Sequence, residues 1–107
     1  MNIWALDKDI RIKHVLLLLA ARFGSDSYVV DATPQLVPAA VRLCKPDEPA
    51  MSVYLYTYGQ QDDCYGVHLE FPAHPETPLR DTVEIKEDLD FEQLVEVLQV
   101  HFDVVLA

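Results

Sequence analysis

Hydrophobic and polar positions alternate with period two along Met51–Tyr58 (MSVYLYTY). Val53, Leu55 and Thr57 fall on one face, and Tyr54, Tyr56 and Tyr58 on the other. β-branched and aromatic residues at this period predict a pleated strand. Tyr65–Phe71 alternates too, setting Tyr65, Val67, Leu69 and Phe71 against Gly66, His68 and Glu70. The polar run from Gly59 to Cys64 reads as the connecting loop, so residues 51–71 are expected to form the central hairpin of an antiparallel sheet. Placing Tyr58 opposite Tyr65 would pair Tyr56 with Val67, Tyr54 with Leu69, Leu55 with His68 and Val53 with Glu70. In that register the tyrosines share a face with aliphatic residues. Core packing with hydroxyls at the rim is then the expected use of Tyr54, Tyr56 and Tyr58. An exposed aromatic contact face is the alternative.

The same reading places elements on either side. Asp7 or Asp9 can cap a helix from about Asp9 to Phe23, with Gly24 just past its end. Its middle, Val15–Ala21, is apolar all round, which predicts burial on most sides or a covering partner. Lys8, Arg11 and Arg22 would lie along one side as a solvated edge or a basic strip. Ser27–Ala32 and Ala39–Cys44 read as strands, the latter turning through Lys45–Pro49 into the hairpin. Thr33–Pro38 is ambiguous because of its two prolines. Pro72–Asp81 reads as an extended loop, and Thr82–Lys86 as a last strand with Val83 and Ile85 inward. Asp90 and Gln93 form a capping box ahead of a final helix. Its apolar stripe is Phe91, Leu94, Val95, Leu98, Phe102 and Val105. Glu92, Glu96, Gln99 and Asp103 fall opposite as an acidic strip with no basic residue interleaved. The order predicts an α+β fold: an antiparallel sheet of four to five strands, covered by an N-terminal and a C-terminal helix.

At 107 residues the chain is expected to be one domain, 1–107, with half its residues hydrophobic. Its formal net charge is −10, which disfavours direct contact with nucleic acid or an anionic membrane. The charge is uneven. Met1–Pro46 carries six Lys/Arg against four Asp/Glu, whereas Asp47–Ala107 carries two against fourteen. A basic partner is the natural complement of the second part, although acidity also serves solubility. Two cysteines, Cys44 and Cys64, do not make a disulfide framework and read as reduced thiols. Val15–Ala21 follows Lys8, Arg11 and Lys13 in the manner of a short signal-peptide core. Asp7, Asp9 and the immediate Arg22 argue against that, and a cytoplasmic location is expected.

Specific chemistry is sparse. Phosphate-loop, dinucleotide, nucleophile-elbow and zinc-protease signatures are missing from the sequence. Cys64 and His68 lie near Asp62, Asp63, Glu70 and His74. On one strand, however, positions 64 and 68 stand roughly 13 Å apart, too far for two ligands of one zinc. No cofactor is expected. His68 beside Glu70 could be a tuned imidazole, yet nothing convergent surrounds it in sequence. His101 and His14 read as structural, His14 as a core histidine.

These features predict a non-catalytic acidic module that masks a basic protein partner. The partner would be a toxin, a nuclease or a nucleic-acid-binding protein. The binding residues would be Glu92, Glu96, Gln99, Asp103, Asp62 and Asp63, with Tyr54, Tyr56 and Tyr58. In size and composition alone the chain resembles immunity proteins, antitoxins and phage inhibitors that imitate nucleic acid. It resembles small acidic secretion chaperones to the same degree. The alternative is a small enzyme or ligand-binding domain with a pocket between the tyrosines and a helix. A homodimer through the apolar N-terminal helix is a further possibility.

Overall fold

The computed structural model describes residues 8–24, 27–31, 37–71 and 83–103. Expectations for residues 32–36, for Pro72–Asp81 and for Val105 lie outside them. Helix α1 (Ile10–Phe23) begins where the Asp9 carboxylate accepts the Arg11 N–H. It ends at Gly24, whose φ of 81° is left-handed backbone that suits glycine. Helix α2 (Phe91–Phe102) carries the expected capping box, with Gln93 N–H donating to Asp90 and Asp90 N–H to the Gln93 side chain. Between them run β1 (Val29–Val30), β2 (Ala40–Lys45), β3 (Glu48–Tyr56), β4 (Tyr65–Glu70) and β5 (Val83–Leu89). All neighbours are antiparallel and the order is β1-β2-β3-β4-β5, so the sheet is a meander and the fold is α+β.

One face of the sheet holds the core. Val41 and Leu43 of β2, Val53 and Leu55 of β3, and Val67 and Leu69 of β4 cluster with Ile12, Val15, Leu16 and Leu19 of α1. Leu94, Val95, Leu98 and Phe102 of α2 close the same cluster. Each such side chain, taken fully out of water, contributes about 1.5–3 kcal/mol. The apolar middle of α1, Val15–Ala21, is buried on one side only: Leu18 is exposed, as is Ile10 at the helix start. Its basic residues tie it down. Lys8 Nζ donates to Val37 O, and Arg11 donates to Gln61 O and Cys64 O. These cations therefore serve the fold rather than a basic strip.

The hairpin register differs by one residue from the expected one. Val53 pairs with Leu69, Leu55 with Val67, Tyr54 with His68 and Tyr56 with Gly66. A slip of one residue turns every side chain of a strand to the other face. The observed register gathers the aliphatic residues of both strands beneath the helices and sends the tyrosines away from them. That avoids burying phenol hydroxyls in an apolar layer. β3 also starts earlier than expected, at Glu48, and ends at Tyr56, which lengthens the loop to Thr57–Cys64.

β5 corrects a second expectation. Ile85 is 59 % exposed and pairs with His68 on the tyrosine face. Glu84 and Lys86 take the helix-side positions, opposite Leu69 and Val67. The register between Tyr65/Val67 and Leu89/Lys86 shifts there, and Asp88 has a φ of 56°. This bulge reverses the inside–outside parity upstream of Leu89. His14 is likewise exposed rather than in the core.

Gly66 lies under the Tyr56 ring, where an added Cβ would collide with it. Tyr56 is buried and its hydroxyl donates to Glu87, so the ring cannot swing away freely. Gly66→Ala is expected to destabilise the fold by about 1–3 kcal/mol. Most of that loss should vanish in a Tyr56→Ala background, as a double-mutant cycle by urea denaturation would measure.

Candidate functional site

The sheet face opposite the helices carries an aromatic row. Tyr56 and Tyr58 stack with ring centroids 4.7 Å apart, and Tyr54 follows at 5.8 Å from Tyr56. The His68 ring sits 5.2 Å from Tyr56 and 5.6 Å from Tyr54. Tyr58 lies beyond the end of β3, where the chain turns at Gly59, so its hydroxyl comes back to donate to the Tyr54 oxygen at 3.4 Å. Burial is greatest in the middle of the row: Tyr56 is buried, Tyr54 half-buried and Tyr58 46 % exposed. Tyr54, Tyr56 and Tyr58 are thus brought together, outside the core that was expected to take them. Ile85 adds an exposed aliphatic group beside His68.

Polar groups brace this face. Arg42 on β2 reaches past Tyr54 to Glu70 on β4, with Nε 2.9 Å from Oε1, and its guanidinium lies 5.8 Å from the Tyr54 ring centre. Ser52 Oγ donates to the same Glu70 oxygen at 2.9 Å. Glu70 is therefore engaged by Arg42 and Ser52. At the other end Glu87 accepts from Tyr56 Oη and Gln60 Nε2, both at 2.9 Å. Gln60 Oε1 in turn accepts the Asp88 N–H of the bulge at 2.8 Å. The loop that carries exposed Asp62 and Asp63 is thereby fastened next to the aromatic row. Sequence reasoning did not find Arg42, Ser52, Gln60 or Glu87. Their role depends on cross-strand register, which local sequence does not encode.

The acidic strip lies on the other layer. Glu92 is held by Arg22 of α1, with NH1–Oε1 2.7 Å and NH2–Oε2 3.1 Å. The contact lowers the Glu92 pKa and raises that of Arg22, through the hydrogen bond first. A basic residue thus interrupts the strip, from a helix 70 positions away in sequence. Glu96 is exposed, Gln99 half-buried, and Asp103 is the left-handed C-cap of α2. The aromatic and α2 halves of the expected binding set therefore occupy opposite sides of the sheet.

A groove of about 500 Å³ opens between α2 and the β4–β5 side of the sheet. Met51, Leu69, Phe71, Val97 and Val100 line it, with Glu84, Lys86, Glu96 and His101. No tyrosine contributes among these residues, so this is not the pocket expected between the tyrosines and a helix. His101 is buried; its Nε2 donates to Ser52 O at 2.9 Å and its ring lies edge-on to Phe71. Among the described residues no group of three or more His, Cys, Asp or Glu could hold a metal ion. The Cys44 thiol is pushed up by burial first and by Asp31 next, which keeps it protonated and a poor nucleophile. No described helix is long and apolar enough to cross a membrane. Comparison with protein-family models, with curated proteins and with solved structures found no match to this chain.

The Tyr54 and Tyr56 hydroxyls are pushed up to about 12. Burial is the main cause for both, followed by the Tyr58 hydrogen bond for Tyr54 and the Glu87 hydrogen bond for Tyr56. An unfolded tyrosine ionises near ~10. The folded state keeps these protons longer, so their contribution is full below ~10 and is lost as pH rises towards 12. Tyr56→Phe is expected to flatten the fall in stability over that interval, measured by urea denaturation at stepped alkaline pH.

Proposed function

We propose that this chain is a non-catalytic, cytoplasmic protein-binding module that masks a basic partner with the face of its sheet away from both helices. The observation that carries this reading is the row Tyr54, Tyr56, Tyr58 and His68 on the face away from both helices, in a chain of net charge −10. Tyrosine brings large, rigid contact area with one polar end, which is why it is enriched at protein interfaces. Exposed Asp62 and Asp63, on the loop that Gln60 ties to Glu87, supply charge that attracts a basic surface. Such charge raises the rate and selectivity of association more than its strength. Glu96 and Asp103 extend the negative field on the far layer, whereas Glu92 is occupied by Arg22. A second reading, a small-ligand domain, is favoured by the groove beside α2, whose ~500 Å³ falls within the range of small-molecule sites.

The test is affinity capture from native lysate with the full chain as bait, at about 50 and about 200 mM salt. A basic protein retained more strongly at low salt is the expected result. Tyr58→Ala should weaken that partner by about tenfold or more, as loss of an interface anchor does. Glu92→Lys should leave the affinity within about twofold, since rim and remote charges contribute little. A partner insensitive to Tyr58→Ala would move the binding surface elsewhere.

A further inference from the structure

The strand order leaves β5 with one edge unpaired among the described residues. Such an edge presents backbone N–H and C=O groups that another strand can complete. Two features set this edge apart. The two most exposed large hydrophobic side chains described lie on either side of it: Ile85, 59 % exposed, on the tyrosine face, and Val100, 82 % exposed, on α2 beside the groove. Glu84 and Lys86 bracket Ile85 with opposite charges on the helix side, 3.1 Å apart.

We propose that β5 pairs antiparallel with β5 of a second copy of this chain, about a two-fold axis at Ile85. The two five-stranded sheets then become one. In this register Glu84 lies opposite the partner's Lys86 and Lys86 opposite the partner's Glu84, while Ile85 meets the partner's Ile85. Opposite charges two positions apart make the strand complementary to itself about the residue between them. Two like charges would have made it repel itself. Edges guarded against pairing carry prolines, lone lysines or bulges along their length. Here the bulge is confined to the C-terminal end, near Asp88, and the ladder from Val83 to Lys86 is regular.

The axis stands perpendicular to the sheet, so both helix layers stay on one side and both tyrosine rows on the other. Val100 of each copy then faces the common seam. A surface patch that contacts itself in this way is the ordinary form of a two-fold dimer. The pairing shares Ile85 with the border of the tyrosine row but leaves Tyr58 in solvent, and it requires no partner protein.

Sedimentation equilibrium of the full chain tests it, from micromolar to millimolar concentration. Each copy carries −10, so the measurement uses about 150 mM salt, where the Debye length is ~8 Å. Wild type is expected to dimerise. Glu84→Lys alone, or Lys86→Glu alone, sets like charges opposite one another at both related positions. Each should raise the dimer dissociation constant about tenfold or more. An equimolar mixture of the two variants should recover association as a heterodimer, because the lysines of one copy then face the glutamates of the other. The double variant, Glu84→Lys with Lys86→Glu, remains complementary to itself and should dimerise like wild type. A monomeric wild type would overturn the proposal, as would a dimer indifferent to both single reversals or a mixture no tighter than its components.

Discussion

The fold depends on one constraint: a sheet covered by helices on a single side must send every second residue to that side. Val41, Leu43, Val53, Leu55, Val67 and Leu69 meet the condition, and α1 and α2 close over them as one cluster. The residues that alternate with them on those strands are thereby committed to the other face. Tyr54, Tyr56, His68, Arg42 and Glu70 are together because they are the alternate residues of strands whose aliphatic set is inside. The aromatic row is therefore a product of core packing. It gains a distinct surface character because Tyr58 and Ile85 continue it into solvent.

The same constraint explains why β5 departs from its own alternation. Leu89 must face inward, where it packs against the core just before α2 begins at Phe91. A regular strand would then also turn Glu87, Ile85 and Val83 inward. The bulge near Asp88 adds a residue and reverses that parity, so Lys86 and Glu84 take the helix side instead. Its cost is met locally. Aspartate tolerates the left-handed backbone better than most residues, and Gln60 satisfies the Asp88 N–H. Gln60 also holds Glu87, which accepts the Tyr56 hydroxyl. The device that inverts β5 thus also pins the aromatic row.

What was legible in the sequence follows the range of the interaction. Both helix starts and the α1 end were readable, because Asp9, Gly24, Asp90 and Gln93 act on backbone within a few residues. Strand identity and an antiparallel sheet of four to five strands were readable from alternation and turn chemistry; the order of the five strands was not. The hairpin register was not: both candidate registers satisfied local alternation, and only the helices above the sheet distinguish them. The Arg22–Glu92 pair joins two helices at opposite ends of the chain, so no reading of α2 alone could show the interruption of its acidic strip. For the candidate site, the tyrosines and the acidic loop were named from sequence. The groups that brace them were hidden behind the register.

The charge of the chain looks different once the cations are placed. Lys8 and Arg11 are turned onto backbone carbonyls that hold α1 to neighbouring loops, and Arg22, Arg42 and Lys86 each hold a carboxylate. Four of the six basic residues in Met1–Pro46 are therefore engaged in holding the fold together. The carboxylates left facing solvent, Asp62, Asp63, Glu96 and Asp103 among them, shape the field that another molecule meets. They lie on both layers, so the field alone does not choose a side of the sheet. In the proposed binding role, shape and apolar contact would make that choice, and Tyr58 and Ile85 stand in solvent beside a braced aromatic row. In that proposed role, long-range charge would bring a basic partner near, and the short-range aromatic surface would decide where it stays.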